Sequence, residues 1–461
     1  MAHCREARSV PEAWIFIGAD SRPGRRFDIR PVTNYDINIP PPDSCRQLGP
    51  GAKAFQDLIG ALMLLQRTYL VGRCLTLAIS CALGSSFAAA QSSAPAPEAP
   101  DYFSSLPRPG EPKDGGFPKL PPGLPSLPRG SKWQEVAATD PLAMCAEGAP
   151  YAYFIHPGNP DTLIINFTGG GACADPVSCD TSKAPTFFKD LGITRILVAE
   201  KYGRGVFAPE QKGNPFKGWT HFVIPNCTGD LNLGDIEQTY TRSDGTSYKI
   251  KHNGAPNTRA ALAWLKAHYL NQGKAPSKVI VVGSSAGAYA SVIWTAAVRE
   301  AFPQALVRQF ADCGAGVGDD HGAFPPQWHA TAAYPAWVPG LNPATDDVAG
   351  LGINSIYKLL AAHYPEVEFS QFNYNQDGIQ SYFYKAAGGD VKQWSEGLYR
   401  KIEDLVDHVP NFHSYIASGT AHAVLVLPDT YTLKTNNVKF NDWLSDFILG
   451  KQPTTVHAAP L

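Results

Sequence analysis

The sequence has little net charge and no apolar segment long enough to span a bilayer. Its 39 Lys and Arg residues nearly balance its 41 Asp and Glu residues, which gives a formal net charge of -2. Because Lys and Arg form no runs, the chain has no electrostatic footprint for nucleic acid. The apolar stretch from Leu75 to Phe87 is shorter than the roughly 20 residues of a spanning helix, so a retained membrane anchor is the weaker interpretation.

Sequence patterns for metal binding are also missing. No paired C-x-x-C and no cluster of His accompanies the cysteines, which argues against a zinc site. The segment GDLNLGDIE has spaced acids, but Gly234 stands where a calcium-binding loop needs Asp or Asn. We therefore interpret that segment as a turn and expect no metal site.

The first 130 residues contain an export signal and a spacer. Met63 begins a short basic segment, an apolar stretch and three small residues, which predicts a secretory signal peptide over residues 63–90 with cleavage after Ala90. Residues 1–62 show no sustained period, and we expect an upstream extension with a mis-assigned start. Residues 91–130 are crowded with Pro and predict a semi-rigid linker. The protein is then expected to be secreted or periplasmic, with no membrane attachment after signal cleavage.

Residues 131–461 are long enough for one large domain with a substantial core. They contain no internal repeats. Predicted strands such as DTLIINF, RILVAE, KVIVVG, ALVRQFA, VEFSQFN and FHSYIAS alternate with helical patterns such as NTRAALAWLKAHYL and INSIYKLLAAHY. This alternation predicts an α/β domain with a mostly parallel central sheet and helices on both faces.

The stretch VVGSSAGAYA, residues 281–290, contains the pattern G-x-S-x-G with Ser285 at its centre. It stands between an apolar β-branched run and an Ala-rich helical pattern, which is the setting of a nucleophile elbow. Gly283 and Gly287 remove side chains that would collide in so sharp a turn. We therefore predict Ser285 as a catalytic nucleophile, and the alternative is an ordinary Gly/Ser turn.

A serine hydroxyl needs a base that removes its proton and a third group that orients the base. The expected chain order in this type of sheet is Ser, acid, His. His422 follows the last predicted strand, on a loop that Gly419 makes flexible enough to fold back over the sheet. His408 closes a helix and His413 lies within a strand, so both are interpreted as structural. We predict His422 as the base.

The acid is predicted at Asp377, which follows the preceding strand at its carboxyl end. Ligands and catalytic loops gather at that edge of such sheets. The alternative is Asp312, one strand earlier, because acids in this fold also occur there. Asp312 and its Gly-rich sequel could equally form a turn or line the pocket.

The segment NFTGGGAC places Gly169, Gly170 and Gly171 after an early strand. A Gly run lets the main chain approach a ligand closely, so its N–H groups can receive the negative charge of a tetrahedral intermediate. The N–H of Ala286, the residue after the nucleophile, would complete this oxyanion hole. An ordinary loop or a phosphate-binding nest is the alternative.

Of the nine cysteines, those beyond residue 130 are Cys145, Cys173, Cys179, Cys227 and Cys313. An exported chain is expected to form disulfides. Cys173 and Cys179 could close a short loop and Cys145 could reach Cys227, which would leave Cys313 as the odd thiol. Sequence alone does not fix this connectivity.

An ordered set of segments resembles the pectin acetylesterase family, which also includes the Notum-type lipid deacylases of animals. The segments are CAEGAPYAYFI, NFTGGGACADPVSC, PNCTGDLNLGD, HNGAPN, GSSAGA, DCGAG, QDGIQ and GTAHAVL, from about Cys145 to His422. The resemblance implies an α/β-hydrolase fold, no cofactor and a triad of Ser285, Asp377 and His422.

The resemblance also implies that Gly171, Ala172 and Ala286 are oxyanion donors and that Cys173 pairs with Cys179. There is one departure from the family's pattern. Plant-type members usually carry Trp after the Gly run, where this chain has Ala172. The smaller residue opens the acyl end of the pocket, so the family's acyl preference does not transfer.

We therefore expect an exported serine carboxylesterase that removes O-acetyl groups from a polysaccharide such as pectin, through an acyl-enzyme intermediate. Its substrate would be an acylated polysaccharide or a small ester. The first alternative is a lipid, small-ester or polyester hydrolase, allowed by Ala172 and by aromatics that could line a cap: Phe187, Phe188, Trp328 and Trp337. The second is a non-catalytic wall-binding protein, which would have no reason to retain three triad residues in order.

Overall fold

The computed structural model describes residues 133–192, 194, 198, 205–319, 324–386, 389 and 391–460. The predicted extension, signal peptide and linker of residues 1–130 lie outside the described residues. The predicted strand RILVAE, residues 195–200, also lies outside them except for Val198, which is helical.

The described residues form strands and helices that are numbered in chain order. The strands are β1 (Gln134–Ala137), β2 (Ala152–His156), β3 (Asn159–Phe167), β4 (Trp219–Ile224), β5 (Ile236–Thr241), β6 (Ser247–His252), β7 (Lys278–Ser284), β8 (Leu306–Asp312), β9 (Glu368–Tyr374), β10 (Phe412–Ala417), β11 (Lys434–Thr435), β12 (Val438–Lys439) and β13 (Val456–His457). The helices are α1 (Gly254–Asn271), α2 (Ala286–Ala301), α3 (Ile353–His363), α4 (Gly378–Ala386), α5 (Val391–His408) and α6 (Phe440–Ile448).

Nine strands form the central sheet, in the order β1-β2-β4-β3-β7-β8-β9-β10-β13. Strand β2 runs antiparallel to β1 and β4, and every other neighbouring pair in the sheet is parallel. The predicted α/β class with a mostly parallel sheet is therefore confirmed. Strand β7 lies between β3 and β8, so the turn that follows it emerges near the middle of the sheet's carboxyl edge.

Alternate residues of the central strands pack into two separate cores, one on each face of the sheet. Val279 and Val281 of β7 pack with apolar residues of α1, α2, α3 and α5. Ile280 and Val282 pack with the aromatic face of α6. Both sets are buried because β7 is covered on both faces, which explains its continuous apolar sequence. The prediction of helices on both faces is confirmed.

None of the described helices combines the length and the apolar composition that crossing a membrane requires. A separate two-stranded hairpin, β5 and β6, stands outside the main sheet. It joins β4 to α1 and lies beside the Cys173–Cys179 segment, with which Tyr240 and Ile250 share a small core.

Candidate active site

Ser285 is the single residue between β7 and α2, and its backbone geometry is strained. Its φ of 57° and ψ of -121° lie in a region that residues other than Gly rarely adopt. A Cβ on Gly283 would collide with the carbonyl of Gly287, and one on Gly287 would collide with the carbonyl of Phe167. The turn is therefore possible only with Gly at both positions, and it presents Ser285 at the carboxyl edge of the sheet.

His422 and Asp377 meet across the turns that follow β10 and β9. The His422 Nδ1 atom lies 2.7 Å from Asp377 Oδ2, and both side chains are buried. Asp377 Oδ1 accepts from the N–H groups of Ile379 and Gln380, at 2.9 Å and 2.8 Å, which fixes the carboxylate at the start of α4. Because a carboxylate only accepts hydrogen bonds, His422 carries its hydrogen on Nδ1 and leaves the Nε2 lone pair available.

The Nε2 atom of His422 is buried and has no hydrogen-bond partner among the described residues. Burial alone would lower the pKa of His422, but the charge and hydrogen bond of Asp377 and the charge of Asp312 outweigh it. The pKa of His422 is therefore raised above its ordinary value of 6.5. A buried ring nitrogen without a partner is unusual in a folded protein and marks a position where a reacting group can be bound.

A cavity of 1170 Å³ brings the predicted residues together. Ser285 and His422 line it, as do three of the predicted oxyanion donors: Gly171, Ala172 and Ala286. Gly170 is not among the lining residues, although it adjoins Gly171. No hydrogen bond joins Ser285 to His422, and contacts of this kind often tighten only when substrate binds.

The Gly-run loop is held firmly through its carbonyl groups. The carbonyls of residues 170–173 accept hydrogen bonds, in order, from Phe188 N–H (2.8 Å), Asn226 Nδ2 (3.0 Å), Thr186 Oγ1 (2.6 Å) and Trp328 Nε1 (2.7 Å). Each bond fixes one peptide plane, and a plane carries the N–H of the following residue. The loop is therefore rigid at the point where it lines the cavity, as an oxyanion hole requires.

Two disulfides fasten the same loop. Cys173 pairs with Cys179, and Cys145 pairs with Cys227, which is the neighbour of Asn226. Both predicted pairs are therefore present, and Cys313 is the free, buried cysteine of the described residues. The role of Asn226 in the loop was not predicted, because the contact joins positions far apart in the sequence.

The aromatic lining of the cavity differs from the expectation. Phe187, Phe188, Trp328 and Trp337 do not line it. Trp328 is buried, and its indole N–H donates a hydrogen bond to the Cys173 carbonyl. The aromatic residues that do line the cavity are others: Tyr289, Phe324, Tyr334, Phe383, Tyr384 and Trp394. These residues lie on helices and loops, and sequence patterns do not predict how those helices and loops pack around the cavity.

Among the described residues, two groups of side chains each bring three ligand-type atoms within 4.8 Å of one another, and neither is assigned as a metal site. In the first, Cys173 and Cys179 are joined to each other, so neither offers a thiolate beside His252. In the second, which includes Cys313, the nearest atoms of Asp377 and His422 are already hydrogen bonded to each other.

The chain matches a known protein family over part of its length. A family model described as pectinacetylesterase matches residues 135–321. The match contains the Gly run and Ser285 and ends before Asp377 and His422. The resemblance expected from the sequence is confirmed over these residues. A search of curated proteins finds no match.

Among solved structures, the Wnt deacylase Notum from Drosophila is similar to this chain. The sequence identity is 18% and the TM-score 0.49, over 71% of this chain and 97% of that chain.

Proposed function

We propose that this chain, a carboxylic ester hydrolase whose residues 135–321 match the pectinacetylesterase family, is an exported serine esterase that removes O-acetyl groups from a polysaccharide such as pectin. One observation carries the proposal. Asp377 is hydrogen bonded to His422, whose unpartnered Nε2 and the strained Ser285 belong to one cavity. This set supplies a nucleophile, a base and the group that orients the base.

In the first half-reaction, Ser285 Oγ attacks the acetyl carbonyl carbon while His422 Nε2 takes the hydroxyl proton. The carbonyl oxygen becomes an oxyanion, which the N–H groups of the Gly-run loop and of Ala286 stabilise. Asp377 holds the imidazole in its Nδ1–H form and stabilises the imidazolium that forms. His422 then donates the proton to the departing sugar oxygen, and the acetyl group stays on Ser285.

In the second half-reaction, water takes the place of the sugar hydroxyl. His422 Nε2 removes a proton from the water, and the resulting hydroxide attacks the acetyl carbon. The tetrahedral intermediate collapses, the Ser285 oxygen recovers the proton from His422, and acetic acid leaves and loses its proton to the solvent. No redox step and no cofactor enters this sequence.

A second candidate substrate class follows from the size of the cavity. At 1170 Å³ it far exceeds what an acetyl group fills, and Ala172 and several aromatic rings line it. Such a cavity accommodates longer acyl chains or a hydrophobic polyester segment. The chemistry at Ser285 would be the same, so acyl length alone separates the two candidates.

The direct test is hydrolysis of a chromogenic acetate ester by the full chain and by Ser285→Ala. We expect the variant to lose at least about 10⁴-fold in kcat. Ser277→Ala is the matched control, because Ser277 is exposed at the opposite end of β7 and should leave activity unchanged. If folded wild type cleaves no ester, the proposal fails and a binding protein becomes the better account.

Acyl preference is tested with acetate, butyrate and octanoate esters in parallel with acetylated pectin and acetylated xylan. Release of acetate from the polymers, with activity that falls as the acyl chain lengthens, supports the deacetylase. Activity that rises with acyl length and no release from either polymer supports the second candidate.

Export is the remaining part of the proposal. The two disulfides are consistent with an oxidising compartment, where such bonds persist. The signal peptide of residues 63–90 predicts a mature chain that begins at Gln91. N-terminal sequencing of protein recovered from the periplasm or the medium tests this, and a cytoplasmic chain that retains residues 63–90 would contradict it.

A further inference from the structure

Asp312, the last residue of β8, binds the nucleophile turn on one side. The residue is completely buried, at 0% exposure. Its backbone carbonyl accepts the N–H of Ser285 at 2.8 Å, and its Oδ2 accepts the hydroxyl of Ser284 at 2.9 Å. Asp312 therefore contacts the nucleophile and the residue before it, without reaching the cavity.

On its other side, the same carboxylate binds the chain that follows His422. Oδ1 accepts the N–H of Val424 at 2.9 Å, and Oδ2 accepts the N–H of Leu425 at 2.8 Å. Ala423, between them and His422, has a φ of 63°, so the chain turns sharply directly after the histidine. One side chain thus ties together the two turns that carry Ser285 and His422.

We propose that Asp312 is a positioning residue whose ionised carboxylate sets the separation of Ser285 and His422, so that its protonation disables the site. This inference rests on the proposed function, in which these two residues exchange a proton. It assigns Asp312 a different task from Asp377. Asp377 contacts the imidazole itself, whereas no hydrogen bond joins the Asp312 side chain to His422 and its bonds go to residues that flank Ser285 and His422.

The task needs the ionised form because three donors converge on one carboxyl group. A carboxylate is acceptor-only and has about four lone-pair sites, which is enough for the Ser284 hydroxyl and two N–H groups. Protonation removes the negative charge, and a neutral carboxyl group accepts hydrogen bonds about half as strongly as a carboxylate. All three contacts are then weakened, and the turn after His422 and the turn before Ser285 are held less firmly.

Protonation falls within an accessible pH range. Burial raises the pKa of Asp312 to about 6, although Leu425 N–H, the Ser284 hydroxyl, the charge of His422 and the Cys313 thiol favour the charged form. The titratable groups that face Asp312 are His422, Cys313 and Tyr374. Burial raises the pKa of Cys313 and of Tyr374, and the charge of Asp312 raises both further, so these two stay neutral. His422 is then the one facing group that charges over the same range.

The experiment compares Asp312→Asn, Ser284→Ala and the double variant with wild type on a chromogenic acetate ester. Asp407→Asn is the matched control, since Asp407 is exposed on α5. Misplacement of the two turns should lower kcat by about 100-fold in Asp312→Asn and about tenfold in Ser284→Ala. KM should change by less than about twofold, because Asp312 does not line the cavity. The two losses should not add in the double variant, because both substitutions alter the same Asp312–Ser284 contact.

The pH profile separates positioning from a general structural role. For wild type, log kcat/KM should fall with a slope approaching about 2 below pH 6, because His422 and Asp312 both become protonated there. Asp312→Asn should fall with a slope of about 1 and with its midpoint at lower pH, since the charge that helps to raise the pKa of His422 is gone. Circular dichroism at each pH restricts the comparison to folded protein.

The outcomes distinguish this inference from the proposed function. Wild type without esterase activity refutes the proposed function. Active wild type with an unchanged kcat in Asp312→Asn, or with the same acid slope in both proteins, overturns the positioning role alone. If Asp312→Asn does not fold, Ser284→Ala decides: a lower kcat at unchanged KM supports the inference, and an unchanged kcat overturns it.

Discussion

The two sides of the cavity around Ser285 are stabilised by different kinds of interaction. On one side, which we call the disulfide side, two disulfides and neutral hydrogen bonds hold residues 170–173. On the other, the carboxylate side, two buried aspartates hold the turns after β7, β9 and β10. In the proposed mechanism, the first side stabilises charge in the transition state, and the second moves the proton. The interactions that hold the two sides are therefore sensitive to different conditions: reductant breaks the disulfides, and low pH protonates the carboxylates.

The largest expected effect lies on the carboxylate side. Asp377→Asn keeps the shape of the side chain but lets His422 take the wrong tautomer, so kcat should fall by about 10⁴-fold. Steady-state kinetics on an acetate ester measures this, with Asp407→Asn as the control. A loss of less than about tenfold would mean that Asp377 does not orient the base.

The pH dependence should come next in size. His422 must be neutral to act as a base, and its pKa is raised above 6.5, so kcat/KM should rise with pH through a value above 6.5. Below that midpoint the rate should drop about tenfold or more per pH unit. A profile that stays flat between pH 5 and 8 would exclude His422 as the base.

We expect one disulfide to contribute more to the free energy of unfolding and the other to contribute more to kcat. In the chain-entropy account, Cys145–Cys227, with a sequence separation of 82, stabilises by about 4–5 kcal/mol, and Cys173–Cys179, with a separation of 6, by about 2 kcal/mol. Replacing the first pair by Ser should lower the free energy of unfolding more, as measured in urea. Replacing the second should lower kcat more, because Cys173 adjoins Ala172. If the same pair had the larger effect on both the free energy of unfolding and kcat, this expectation would be contradicted. Replacing either pair should leave the fall of kcat/KM at acid pH unchanged.

The smallest effect concerns acyl preference. Ala172→Trp places a large ring at the cavity wall, which Ala172 lines. The ratio of octanoate to acetate kcat/KM should fall by about tenfold, while the acetate value changes by about threefold or less. An unchanged ratio would show that Ala172 does not border the acyl group.

The parts of this molecule that sequence could predict are those fixed by local pattern. The apolar runs of β3, β7, β8, β9 and β10 are buried on both faces, so their composition alone indicates central strands. The pattern around Ser285 indicates an elbow, because only Gly at positions 283 and 287 permits the turn.

Contacts between residues far apart in the sequence could not be predicted from local patterns. Asp312 ends one parallel strand and Asp377 follows the next, and nothing in their neighbouring residues tells which reaches the imidazole. The answer depends on how the turn after β10 folds back, which Ala423 at positive φ determines. The short edge strands β1 and β13 and the exposed hairpin β5–β6 were likewise not predicted, because half-exposed segments carry mixed patterns.

The most direct test of the account is to trap the acyl-enzyme. The full chain is mixed with a slowly turned over chromogenic ester, quenched in acid, digested and analysed by mass spectrometry, beside Ser285→Ala. The account predicts one acyl group per chain, on the peptide that contains Ser285, and none on the variant. An acyl group on another residue, or hydrolysis that continues in Ser285→Ala, would contradict it.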